Sequence, residues 1–244
     1  MADKKLFEVF PGLDRAQWET IIKKELKGAD PATLDVRIAE GITVPPFNVP
    51  GEGNAADGSR RGAKRAGNVW RSTVPLKAND EHANSLLLQG LMGGADAVEV
   101  HGETSALPEA LKDVMLAAID VQMEHGTPAA LSWLIKEAQR QGVAPEELSL
   151  SADLPEGTDT TGLKELIAPY PRVRLFDVDD QRENGDAITS ARSALRRGQD
   201  LLEQLLAEGH TISDACARIQ FRLHLGDDLF MEVARIRALR EAWA

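Results

Sequence analysis

The sequence predicts an α/β protein: a (β/α)8 barrel that is incomplete, with about six βα repeats, behind an N-terminal arm carrying one helix. The first observation behind this is an alternation, from Val69 onward, of short β-branched runs with helical patterns, which is how parallel βα units read. The second is handedness: right-handed crossovers leave only an open doubly wound sheet or a barrel. The third is an absence. No Gly-x-Gly-x-x-Gly follows any strand-like run, so a dinucleotide-binding sheet has no fingerprint here. A closed barrel needs eight strands, so the chain is expected to stop after its sixth repeat, at Ala244. The expected division is arm, helix and linker over 1–68 and incomplete barrel over 69–244.

Composition bounds the function classes. Of 244 residues, 43% are hydrophobic and 27% charged, enough of the former for a real core. The net charge of −11 argues against nonspecific nucleic-acid binding, which draws its affinity from Lys and Arg on phosphates. No apolar run approaches the roughly 20 residues that span a bilayer, and residues 1–10 lack an apolar signal core. No membrane and a reducing, cytoplasmic compartment are the expectation. The single cysteine, Cys216, cannot form an intramolecular disulfide; lying in a helical pattern with Ile212, Ala215 and Ile219, it reads as inert core.

Each element has its own signal. In the arm, Asp14 as N-cap, the stripe Trp18, Ile21, Ile22 and Leu26, and the stop at Gly28 predict one helix within 6–27. Residues 41–47 read as a short extended piece, and 48–68, rich in Gly, Ala and Arg, as loop or linker. The basic cluster Arg60, Arg61, Lys64 and Arg65 reads as a solvated loop, with an acidic partner or nucleotide phosphates as the alternative. Strands are expected over 69–76, 97–100, 148–152, 173–178 and 219–225. Helices are expected over 80–92, 107–119, 128–141, 162–167, 186–208 and 227–243, with an ambiguous segment at 120–123. Asp227-Asp228 reads as a capping pair for the last helix.

That last segment carries a longer pattern. Phe230 is followed by Met231-Glu232-Val233-Ala234, then Arg237-Ala238, Arg240 and Trp243-Ala244. It resembles a signature of the adenosylcobalamin-dependent methylmalonyl-CoA mutase family, Phe-x-Glu-x-Ala-x-x-Arg-Ala-x-Arg-x-x-Trp-Ala. Phe10-Pro11, Trp18-Glu19 and the run Lys24-Glu25-Leu26-Lys27-Gly28 resemble the arm of that family's small subunit. Gly41-Ile-Thr-Val-Pro-Pro-Phe47 resembles the extended element before the barrel, and Asn68-Val69-Trp70-Arg71 the approach to the first strand. The resemblance implies an isomerase family that converts methylmalonyl-CoA to succinyl-CoA by radical rearrangement.

The departures from the family are equally specific. Its catalytic members carry a tyrosine shortly before the first strand; residues 51–68 contain none, and the one tyrosine, Tyr170, lies far downstream. They also carry Ser-Gly-Tyr-His after the fifth strand. Aligned on Glu183-x-Gly185, this chain has Asp177-Val178-Asp179-Asp180 there, so the catalytic His falls on Asp180. An ionised carboxylate donates no hydrogen bond to a thioester carbonyl. No cobalamin-binding domain is expected: its Asp-x-His-x-x-Gly marker has only a weak echo at Asp80, His82 and Ser85, where a solvated helix start suffices. The resemblance thus implies no catalytic, cofactor-binding or metal residue in this chain. It implies instead a small-subunit-like partner in a heterodimer with a large catalytic chain, with adenosylcobalamin a cofactor of the complex and acyl-CoA met at most indirectly.

Read without the resemblance, the strand ends suggest something else. Functional residues of a barrel sit at the C-terminal ends of its strands. Those ends carry His101, Asp153, Asp177 with Asp179 and Asp180, and His224. The set His101, Asp153, Asp177, Asp180 and His224 suits a divalent ion in an autonomous metal-dependent hydrolase. The plainer reading pairs these groups with Arg172, Arg174 and Arg222, and the usual His-x-His of such hydrolases is absent. Trp243 is expected to need packing partners outside this chain, leaving an apolar face of the last helix uncovered.

Overall fold

A computed structural model describes residues 12, 14–39, 41–46, 70–180 and 186–244. The chain divides into two units, 1–61 and 62–244. Phe10-Pro11, Phe47, the linker with its basic cluster, Asn68-Val69 and residues 183–185 lie outside the described residues.

In the first unit, helix α1 (Arg15–Glu25) starts at Asp14, whose carboxylate accepts from the Gln17 amide while Gln17 reciprocates in a capping box. Gly28, at φ 87°, lets the chain leave the helix. After a 3-10 turn (Pro31–Leu34), strands β1 (Val36–Ala39) and β2 (Ile42–Val44) form an antiparallel hairpin through Gly41. The expected extended piece is β2; β1 is an addition, signalled by its alternating Val-Arg-Ile-Ala.

In the second unit the elements run β3 (Thr73–Lys77), α2 (Ala83–Met92), β4 (Ala97–His101), α3 (Leu107–Ala110), β5 (Asp120–Met123), α4 (Pro128–Arg140) and β6 (Ser149–Ser151). They continue with α5 (Lys164–Ile167), β7 (Val173–Arg174), β8 (Phe176–Asp179), α6 (Ala187–Ala207), α7 (Ile212–Ala217), β9 (Ile219–Arg222) and α8 (Leu229–Trp243). Strands β3 to β7 make a five-stranded parallel sheet in chain order, and β8 pairs parallel with β9. The architecture is α/β, a parallel sheet flanked by helices. No described helix is long and apolar enough to cross a membrane.

The expected strand over 173–178 is bent at Leu175 rather than continuous. The Leu175 carbonyl accepts from Leu154 while its amide donates to the Arg218 carbonyl, so one buried residue links the two ladders. Parallel register then sorts the side chains into two faces. Val74, Val98, Val121, Leu150 and Val173 form one matched row, which packs with Leu87, Leu131, Leu134 and Ile135 in the core. The alternate row, Pro75, Glu99, Gln122, Ser151 and Arg174, is almost wholly polar. Arg222 of β9 bonds to Glu99 of β4 across this polar face. In a flat sheet those strands would stand four spacings, about 19 Å, apart, so the sheet curls with its polar face inward.

Two expectations need correction, the helix over 107–119 and the core placement of Cys216. The helix over 107–119 is reduced to α3, because Asp113 takes φ 62° and the chain turns. Leu111, Val114, Leu116 and Ile119 are buried all the same, and Gln141 serves the loop by bonding the Leu116 amide and the Val114 carbonyl. The ambiguous segment 120–123 is strand β5. The helical pattern around Cys216 is α7, capped by Thr211, but Ile219 already belongs to β9 and Cys216 is half-buried rather than core.

Trp243 finds partners within the chain. Its ring meets Phe221 edge-on at 4.9 Å, and both rest against Gly198 of α6, where a Cβ would stand 2.9 Å from each ring. Gly198→Val should therefore destabilise the fold by about 1–3 kcal/mol through overpacking, read as a lowered Tm in thermal unfolding.

Candidate functional site

The polar face ends in a cavity of about 540 Å3 at the C-terminal ends of the strands. Asp177 stands at its base. Its carboxylate accepts from Ser151 Oγ at 2.5 Å, Gln220 Nε2 at 3.0 Å and Arg222 at 3.1 Å. Burial works against the Arg222 charge, but Asp177 and Glu99 outweigh it and raise its pKa above the ordinary arginine value. The pairing with Arg222 is the one the sequence suggested; Arg172 instead meets Asp120 at 3.4 Å.

Asp153 forms one wall of the cavity. It sits at φ 44°, facing His125 at φ 56°, whose amide donates to the Asp153 carboxylate at 3.1 Å. Only Gly fits at 126, where a Cβ would stand 1.9 Å from the Ala152 carbonyl oxygen. Burial pushes the Asp153 pKa up, helped by the Asp177 charge and opposed by the His125 amide. Across the cavity Glu124 is held below the usual glutamate range, foremost by its hydrogen bond with His101 Nδ1 at 2.5 Å.

Asp180 lies elsewhere. It is fully buried and bonded to Arg235 of α8, to Ser190 Oγ at 3.3 Å and to the His224 amide at 3.2 Å. Arg235 is completed by Glu232 at 2.6 Å and the His224 carbonyl at 2.7 Å. The His224 ring leans on Asp179 at 3.1 Å.

The five residues suggested for a metal are not brought together. Asp153 and Asp177 line the cavity, His101 reaches it only through Glu124, and Asp180 is committed to Arg235. Among the described residues Asp179, Asp180 and His224 bring ligand atoms within 4.8 Å of one another, but Arg235 already compensates Asp180. Glu99, Glu124 and Arg235 were missed by sequence reasoning. Glu99 lies in the middle of β4 and Glu124 just past the end of β5, and what selects them is cross-strand proximity, which no sequence spacing reports.

The two residues with a bearing on cobalamin stand apart from the cavity. His82 precedes α2 with its side chain exposed beside Glu81, away from the cavity. Tyr170 is buried, its hydroxyl accepting from Gln139 at 2.9 Å.

The class defined by fold and site is an α/β protein of parallel βα units with its ionisable groups gathered at the strand C-termini. Residues 182–244 match the family model described as "Methylmalonyl-CoA mutase". The methylmalonyl-CoA mutase small subunit of Porphyromonas gingivalis is 27% identical over 99% of this chain and 45% of its own length. That of Propionibacterium freudenreichii subsp. shermanii is 26% identical over 96% of this chain and 44% of its own. A methylmalonyl-CoA mutase of Cereibacter sphaeroides is 24% identical over 94% of this chain. Along nearly its whole length, then, the chain is similar to methylmalonyl-CoA mutase small subunits, and it spans less than half the length of those it matches.

Two outcomes follow from the site. Arg235→Ala strands Asp180 and Glu232 in the interior and should cost about 3–5 kcal/mol, measured by urea unfolding. A carboxyl with a raised folded pKa keeps its proton where the unfolded chain has lost it, so stability falls as pH rises through the window just above the ordinary aspartate value. Asp153→Asn removes that loss and keeps an acceptor for His125, so its Tm relative to wild type should climb between about pH 3 and about pH 7.

Proposed function

We propose that the curled sheet is the greater part of a (β/α)8 barrel and that the chain is a noncatalytic, small-subunit-like partner of a catalytic mutase chain. The reaction of that complex is the adenosylcobalamin-dependent isomerisation of methylmalonyl-CoA to succinyl-CoA. The observation that carries the reading is the state of Asp180. The family resemblance aligns the catalytic histidine with this position. Here its side chain is sealed from solvent and committed to Arg235, so it neither donates to a thioester nor meets a substrate. The Arg222–Glu99 and Arg222–Asp177 pairs support the same reading, because the protein's own side chains occupy the concave face. What remains for the chain is recognition of its partner, and the cofactor belongs to that partner's chemistry.

The test is light scattering on size-exclusion fractions, with the chain alone and then mixed with a catalytic large chain and adenosylcobalamin. A stable heteromer, with no mutase activity from this chain alone, is expected. A folded monomer that ignores both would overturn the proposal.

A further inference from the structure

The cavity at the strand ends has the size of a small-molecule site, about 540 Å3. Its walls come from the ends of β5 and β6, from β8 and β9, and from α6. What it can hold depends on which of its groups keep bonding capacity. Both guanidinium groups in the wall are already engaged. Arg222 bonds Glu99 and Asp177, and Arg197 bonds Glu156 at 2.6 and 2.9 Å and the Asp179 carbonyl at 2.5 Å. The His125 ring is 86% exposed and brings Nδ1 to 3.9 Å from Asp153. An anion entering the cavity would have to displace carboxylates from the arginines, so anionic ligands are disfavoured.

Asp153 is the opposite case. A carboxylate has about four lone-pair sites, and among the described residues the hydrogen bond Asp153 receives is the one from the His125 amide. Its side chain is only 19% exposed. Burial, and to a lesser degree the Asp177 charge, push its pKa up, as expected of an acid short of donors. Leu154 and Pro155 continue the same wall with hydrocarbon. Glu124 stands on the neighbouring strand at the matching level, since register pairs Gln122 with Ser151 two residues earlier on each.

Spacing separates an organic cation from a metal ion. Among the described residues, Glu124, Asp153 and Asp177 are not in a set whose ligand atoms converge within 4.8 Å. Carboxyls set wider than a coordination shell, with hydrocarbon beside them, suit an ammonium group on an aliphatic stem.

We propose that the cavity binds a short aliphatic amine as its ammonium ion, the nitrogen donating to Asp153 and Glu124 and the methylene stem lying along Leu154 and Pro155. Binding holds Asp153 in its ionised form, so at a pH where the empty cavity keeps that proton, the proton leaves for solvent. The inference is independent of the mutase partner: a heteromer neither requires it nor overturns it.

The probe is 1,4-diaminobutane, titrated calorimetrically into the full chain at about pH 5, just above the ordinary aspartate range, with n-butanol, succinate and Mg2+ as comparisons. Saturable binding of the diamine alone is expected. It should shift the 15N–1H signals of His125, whose amide bonds Asp153, and release a proton, seen as a heat that varies with the buffer's ionisation enthalpy. Asp153→Asn should lower the affinity at least about tenfold. Asp200→Asn removes an exposed acid outside the cavity and should leave the affinity unchanged, which separates the site from the overall charge of −11. Both variants should keep the wild-type circular dichroism. No saturation by about 10 mM, equal binding of n-butanol or succinate, the same His125 shift from Mg2+, or an affinity indifferent to Asp153→Asn would overturn the proposal.

Discussion

The curvature of this protein hangs on one guanidinium. Arg222 bonds Glu99 on the far wall of the sheet and Asp177 on the neighbouring strand, and it does so from a half-buried position. Two carboxylates on a concave face would repel each other and would each lose hydration; a cation between them turns that cost into attraction. Ser151 and Gln220 take up remaining acceptor capacity on Asp177, so the network is well satisfied.

A second buried network, around Arg235, does for the last helix what Arg222 does for the sheet. It ties α8 to the end of β8 through Asp180 and to α6 through Ser190. Its position inverts the helix: charged groups are inside and apolar ones outside near the N-terminal end. Farther along, Leu239 and Trp243 restore the ordinary arrangement against the core and Phe221. The same helix therefore anchors the fold at one end and, among the described residues, exposes Leu229, Phe230 and Val233 at the other.

Much of the fold was legible because its signals are local. Asp14 caps α1, Asp186 caps α6 and Asp228 caps α8, each with a side chain accepting from the first turn. Strands β4, β6 and β9 begin within a residue of their β-branched or alternating runs. The failures were also physical. Residues 107–119 carry apolar groups at helical spacing, yet the loop buries them without a helix because Gln141, from another element, bonds its backbone. Trp243 looked unpartnered because its partners, Gly198 and Phe221, come from other elements.

The site divides along the same line. By itself the sequence determined that the protein is α/β with parallel units, that acids and histidines stand at the strand ends, and that the last helix resembles a mutase-family signature. Those are properties of composition, periodicity and adjacent residues. Only the tertiary structure decided which acids share the cavity, that Asp180 is sealed under Arg235 rather than presented beside Asp177, and that Phe230 faces outward. A carboxylate at a strand end reads the same in sequence whether a guanidinium from a helix 55 residues onward reaches it or not. Long-range pairing in a desolvated interior changes what that carboxylate can do, and no local pattern encodes the pairing.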